Sequence, residues 1–504
     1  MSVHASFDES LLILSDVHLG NDLNDLAPDS ERRSAQVDAD LVDLLAHYRR
    51  TPCAGRRWRL IIAGDFIDFI GMALRPPDAS IEPSEEERAH GLGNSAEHGR
   101  VKLRAVAERH RSVFEAIAAF VADGNALTVI HGNHDVEFHW DAVKHELRAI
   151  LAALAHVSDP DGAPGPAAVQ SGPRATGAGA QENAAGAFES RIDFAPWFYY
   201  VRDVAYVEHG HQYDTLCSTE NVMAPLSPLD PGRITRSFSE ILLRWVVRPT
   251  RGVPEYGHDR MGILDYLALA ARLGVRDLLR LGGRFVGAVV ELFRVRNAAL
   301  SRAANAAREE HERRMAALAA ATRVGMDRLR ALAALQVPPA TRSTAKILAS
   351  MLLDRLLVAS AAIAIIGGIA FGGGRQAGTW AAIAAVLIVW SLAHRYLATR
   401  RRAWFGERLD NGEILVERAS HLARLFPAAF VVMGHTHLPA FVPVGEGPVT
   451  YVNVGSWHEA EGREDRPAPR RAARTHLVIH PADSGPVAEF LAWSTDGPRR
   501  FPTS

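Results

Sequence analysis

Three short, largely apolar runs, residues 11–14, 59–63 and 127–130, each end in a polar group built from Asp, His, Asn or Gly. Between them, residues 35–50 and 97–122 carry apolar side chains at helical spacing, so the order is β-α-β-α-β and predicts a layered α/β fold. Residues 197–201 and 205–207 predict a hairpin turning near Asp203. After residue 410 a helix is expected over 414–426 and strands at 429–433, 449–454, 475–479 and 488–493. Ligands in α/β sheets gather outside the carboxyl ends of strands, which is where the polar groups stand.

Residues 216–404 break this pattern with long helical stretches. Over 234–247, apolar Ile241, Leu242, Leu243, Trp245 and Val246 are interspersed with Arg236 and Arg244, as in a basic amphipathic helix lying on a surface or, equally, a helix packed on the domain. Residues 298–335 predict one long soluble helix, stopped by Pro338 and Pro339. Two uncharged runs, 356–374 and 376–393, are each long enough to cross a bilayer core and are separated by Arg375. Arg342, Lys346 and Arg355 precede them, and Arg395, Arg400, Arg401 and Arg402 follow. That bias predicts a transmembrane hairpin with both ends, and the catalytic domain, on the cytoplasmic face of the inner membrane. Residues 159–187, rich in Gly, Ala, Pro and Ser, predict a flexible excursion. The expected organisation is one α/β domain made of residues 1–215 and 406–504, split by a helical insert over 216–405 with the hairpin near 356–393.

Composition narrows the partners. A net charge of -2 over 504 residues gives no global basic field, so no specific nucleic-acid binding is expected. Two cysteines, Cys53 and Cys217, supply neither a disulfide framework nor a thiolate metal site, and a reducing compartment fits. No apolar run of signal-peptide length opens the chain.

Five clusters carry the chemistry: Ser15-Asp16-Val17-His18, Gly64-Asp65-Phe66-Ile67-Asp68, Gly132-Asn133-His134-Asp135, His209-Gly210-His211 and Gly434-His435-Thr436-His437. Alone, each reads as a turn or a cap. Their order, each after a predicted strand, resembles the calcineurin-like metallophosphoesterases, whose pattern runs D-x-H, G-D, G-N-H-D, a His, then G-H-x-H. Asn453-Val454-Gly455-Ser456 looks like the family's usual ending. The resemblance covers about residues 10–210 and 410–495, and implies a β-sandwich flanked by helices.

The same resemblance implies two divalent ions, manganese first, with iron or zinc also suiting mixed carboxylate, amide and imidazole donors. Asp16, His18 and His437 would hold one ion, Asn133, His209 and His435 the other, and Asp65 would bridge both. Ions about 3.5–4 Å apart would activate a water as nucleophile towards a phosphoester or phosphoanhydride. His134 would face the substrate as general acid or charge stabiliser, with Asp135 orienting its ring. Asp68 and His211 are left between supporting and solvated roles. The expected substrate is a phosphorylated small molecule or a lipid-linked one. Residues 209–217 and 434–439 are also similar to the UDP-2,3-diacylglucosamine diphosphatase branch, which usually has Arg where His134 stands and Asp where His211 stands. A membrane scaffold that has lost catalysis is the reading from another class.

Overall fold

The computed structural model describes residues 8–25, 35–51, 55–77, 80–157, 186–250, 275–372, 377–405, 412–445, 447–457 and 473–502. The strands, in chain order, are β1 (Ser10–Leu14), β2 (Trp58–Ala63), β3 (Ala126–Ile130), β4 (Ile192–Ala195), β5 (Phe198–Val201), β6 (Ala205–Glu208), β7 (Leu226–Ser227), β8 (Asp230–Ile234), β9 (Phe430–Met433), β10 (Ala440–Val444), β11 (Val449–Asn453), β12 (Thr475–His480), β13 (Val487–Ser494) and β14 (Gly497–Arg500). They form a seven-stranded sheet, ordered β14-β13-β12-β1-β2-β3-β4, and a five-stranded sheet, β10-β11-β9-β6-β5, with β7 and β8 as a separate ribbon. Strands β1 to β4 run parallel, as do β6, β9 and β11.

The central strands are apolar on both faces because both faces are covered. Leu11, Ile13, Ile61, Ala63 and Ile130 of the large sheet share one core with Val207, Val432 and Val452 of the small sheet. Leu12, Leu14, Leu60, Ile62, Leu127 and Val129 point the other way, against the helices Ala35–Arg50, Ala96–Arg109, Arg111–Ala122 and Asp141–Val157. On the far side of the small sheet, Tyr206, Val431 and Tyr451 meet Leu415 and Leu422 of the helix Gly412–Leu425, and also Met315, Leu329 and Leu332 from the central helical region. The layers are therefore helix, sheet, sheet, helix. Strand β1 pairs with β12 and β6 with β9, so each sheet joins strands from before and after that region.

Three helical expectations are corrected. Residues 97–122 form two helices that break at His110, whose Nδ1 lies 2.5 Å from Asp38 and whose Nε2 accepts from the Gly20 N–H. Residues 298–335 do not form one helix: Ala304–Thr322 and Met326–Ala334 meet at a bend where Arg323 and Gly325 take positive φ and Val324 is buried. Of the two readings of residues 234–247, the surface helix fails: the segment packs on the domain, as the short helix Phe238–Leu242 followed by a π-helical turn, Leu243–Val247. Their arginines are buried in ion pairs, Arg236 with Glu86 (2.8 Å) and Glu291 (3.3 Å), and Arg244 with Glu86 (3.1 Å). Partners so far away in sequence are invisible to a periodicity argument.

The two apolar runs form the helices Leu353–Gly372 and Ala377–Phe405, packed along one another and long and apolar enough to cross a membrane. Phe371 is 97 % exposed and Ile363 70 %, where a soluble core would bury such residues. Arg375 and nearly all of the Gly-rich excursion lie outside the described residues.

Candidate metal centre

Five loops, each leaving the carboxyl end of a strand, meet along one edge of the two sheets. Asp16 and His18 follow β1, Asp65 and Asp68 follow β2, and Asn133 and His134 follow β3, while His209 follows β6 and His435 and His437 follow β9. The loops are stitched by backbone bonds, Asp16 N–H to Gly64 C=O at 3.1 Å and Gly434 N–H to His209 C=O at 3.1 Å. Two further bonds tie the sheets together: the His435 N–H donates to Asp16 Oδ2 at 3.0 Å, and His209 Nδ1 lies 2.9 Å from the Ala63 carbonyl. Asn453 Nδ2 donates to the Gly434 carbonyl and Ser456 Oγ to that of Asp16, so the late Asn-Val-Gly-Ser segment braces the loops.

Asp16, His18, Asp65, His435 and His437 all take left-handed φ between 49° and 70°. Each such residue costs about 1–2 kcal/mol relative to right-handed backbone, less for Asp and His than for branched residues. Concentrating five of them among seven predicted ligands marks a site where the backbone is bent to aim side chains inward. Close approach explains two glycines. A Cβ on Gly132 would collide with the Asp65 carboxylate, and one on Gly434 with Ser15 Oγ and Asp16.

The side chains gather into two donor groups that share a border. In the first, His437 Nε2 lies 3.0 Å from Asp16 Oδ1 and 3.3 Å from His18 Nε2. In the second, His209 Nε2 lies 3.2 Å from both Asp65 Oδ2 and Asn133 Oδ1. Asp65 Oδ2 is also 3.7 Å from His18 Nε2, which puts one carboxylate against both groups. Asp16-His18-His437 and Asp16-Asp65-His209 each have ligand atoms close enough to hold a metal ion. His435 stands beside the second group, its Nε2 3.2 Å from Asp214 Oδ2 and its ring centre 5.3 Å from that of His209.

The electrostatics favour a cation. Burial opposes ionisation of Asp65, yet His209 and His134 outweigh it and hold the carboxyl far below the usual range; His437 and His209 do the same for Asp16. Burial also opposes charge on His209, but Asp65 and Asp16 push it up to about 9. Burial opposes charge on His18 as well, but the nearby Asp16, Asp68 and Asp65 carboxylates outweigh it and push it up to about 10. A pocket that holds protons on buried imidazoles has a potential that a divalent ion would satisfy instead. Asp16 Oδ1 is buried, with His437 Nε2 at 3.0 Å and His18 Nε2 at 3.8 Å, the three atoms a metal ion would gather.

His134 does not pair with Asp135. Asp135 turns inward and accepts the N–H groups of Gly132 (2.6 Å) and Phe66 (2.8 Å), and burial together with Asp65 pushes its carboxyl up to about 7. The carboxylate that meets His134 is Asp68, whose Oδ1 lies 2.6 Å from Nδ1, while its Oδ2 is 3.7 Å from His18 Nδ1. The correction has a steric cause, since a side chain adjacent in sequence on a tight turn points away from its neighbour. His211 is buried 5.4 Å from the His209 ring, with Nδ1 making no hydrogen bond. Sequence reading gave no role to Asp214 on His435, nor to Arg248, whose guanidinium lies 3.9 Å from Asp68. Asp214 at least stood within the His-Gly-His segment; Arg248 carries no local signal.

No protein-family model matches the chain and no curated protein matches it, so the assignment of this centre rests on its own donor atoms.

Proposed function

We propose that the protein is a metal-dependent hydrolase of phosphoester or phosphoanhydride bonds, held at a membrane by its two apolar helices. The observation that carries the reading is Asp65, a single buried carboxylate against two donor groups of Asp, Asn and His, the arrangement a pair of ions needs. Asp16, His18 and His437 would hold one ion, and Asn133 and His209 the other, with His435 reaching it by leaving Asp214. Manganese is the first choice for such donors, with iron or zinc next. When bound, the ions would supply charge to the phosphoryl oxygens and acidify a water. The chain would do the rest. With Nδ1 on Asp68, His134 presents Nε2 to the substrate, and in its protonated form it donates to a phosphoryl or leaving oxygen.

A lipid-linked pyrophosphate is a second reading, favoured by the exposed apolar helices next to the domain that carries the centre. The test is reconstitution of the full chain with Mn²⁺, elemental analysis, and a panel holding an aryl phosphomonoester, an aryl phosphodiester and a lipid-linked nucleoside pyrophosphate. Two ions per chain and turnover of one class are expected. Metal-free protein after reconstitution, with no turnover of any class, overturns the proposal and favours the scaffold.

A further inference from the structure

One residue of the centre comes from the helical region between the two halves of the sheets. Arg248 follows the π-helical turn Leu243–Val247, and its side chain is 2 % exposed. Its Nη1 donates to the Asn21 carbonyl at 2.7 Å, and its Nη2 lies 3.9 Å from Asp68 Oδ2. Asp68 is the carboxylate that holds His134 through its other oxygen. Glycine at position 71 makes the meeting possible, because a Cβ there would run into both the Asp68 carboxylate and the Arg248 guanidinium. The backbone aims the side chain, too: the Arg248 N–H donates to Leu243 C=O, five residues back, at 2.9 Å. An ordinary α-helical turn would rotate the arginine away by about 100°.

The segment is fixed as well as aimed. Trp245 packs on the His90 ring at 4.2 Å between centres, and comes so close to Gly287 that a Cβ there would lie 2.7 Å from the indole. Arg236 and Arg244 bind the same segment to Glu86 of the α/β domain.

We infer that Arg248 is a positioning residue, delivered by the helical region, that sets the Asp68 carboxylate and through it the His134 ring; the region beside the membrane helices thus completes the centre as well as anchoring it. The inference rests on the proposed hydrolase reading for its consequence in turnover, and on geometry alone for the contact itself. The two are separated by reading both. In full-length protein labelled with ¹⁵N-histidine, the His134 Nδ1 proton, identified by its loss in His134→Gln, should shift upfield in Arg248→Met. Arg248→Lys should fall between, since a compact ammonium cannot reach both Asn21 and Asp68 as the planar guanidinium does. Turnover in Arg248→Met should fall about 10–100-fold through kcat, with KM near the parent value and metal content retained. The double variant with Asp68→Asn should be no slower than the slower single one.

An unchanged His134 resonance in both arginine variants overturns the inference whether or not the protein is a hydrolase. So does a loss confined to KM and additive with Asp68→Asn, which would make Arg248 a substrate contact. Should the methionine variant fail to fold, the lysine variant carries the test. A parent protein that hydrolyses nothing overturns the hydrolase reading, while the resonance still decides the contact.

Discussion

Asp65 offers one carboxylate to two neighbourhoods, and its loss cannot be local. On the proposed reading, Asp65→Ala should lower the content of both ions, and Asp16→Ala, whose carboxylate also lies within reach of both groups, should weaken most the ion placed with His18 and His437; metal content by elemental analysis checks both. His134 lies outside these two groups, although with His18 and Asp68 it makes a third that could hold an ion; on the proposed reading it is a proton donor, so His134→Gln should keep its metal while turnover drops about 10²–10⁴-fold. Metal loss in that variant would make His134 a ligand instead. At this scale the sequence was informative about residue types and less so about partners. Asp16, His18, Asp65, Asn133, His209 and His437 lie together at one edge of the two sheets. The Asp68–His134 pair was hidden because it joins two motifs, and the plausible neighbour Asp135 is spent on two backbone N–H groups.

Among the elements, the apolar inner strands and the helix Ala35–Arg50 were legible, while β4, β7, β8, β10 and β14 and the breaks inside the long helical stretches were not. Residues 11–14 are apolar throughout, and 127–130 in all but Thr128, because both faces of the sheet are covered, a signal that needs no long-range knowledge. The break at His110 depends on Asp38 and Gly20, and the π-helical turn before Arg248 on partners more than a hundred residues away, so neither leaves a periodic trace. Loop geometry makes its own prediction. Gly434→Ala should place a methyl group against Asp16 and Ser15, pushing the β9 loop away from β1. The expected result is weakened binding of the ion that His437 shares with Asp16, with the far-ultraviolet circular dichroism unchanged. Full metal affinity in that variant would mean the loops yield more easily than their shared backbone bonds imply.

For the whole molecule, the exposed surfaces of Leu353–Gly372 and Ala377–Phe405 are the strongest statement. Leu356, Ile363, Phe371, Trp380, Val389 and Leu392 are all more than 60 % exposed, on helices long and apolar enough to cross a membrane. The full chain is expected to sediment with membranes and to resist alkaline extraction; release into the supernatant at high pH would refute anchoring and leave the metal centre untouched. A second property concerns acid. His476 is fully buried against the Tyr48 hydroxyl, and burial pushes its imidazole down to about 3. Unfolded, it takes up a proton near pH 6.5. The neutral ring therefore contributes its full stability above pH 6.5 and loses it progressively as the pH falls towards 3, by up to about 1.4 kcal/mol per pH unit. Unfolding midpoints measured from pH 7 to 5 should fall less steeply in His476→Gln than in the parent; equal slopes would assign the acid sensitivity elsewhere.

The pairing of β1 with β12 and of β6 with β9 also sets a timetable for synthesis. When β6 leaves the ribosome, both sheets still lack an inner neighbour, and the chain that supplies one is more than two hundred residues behind. At roughly 5–20 residues per second, the first half waits on the order of tens of seconds with β1 paired only to β2 and β6 only to β5, the other edge of each open. During that wait the two apolar helices emerge, and they come before β9 and β12. A nascent chain bound for a bilayer would thus be tethered before its sheets can close, and unpaired strand edges held apart on a membrane surface are kept from meeting those of other unfinished chains.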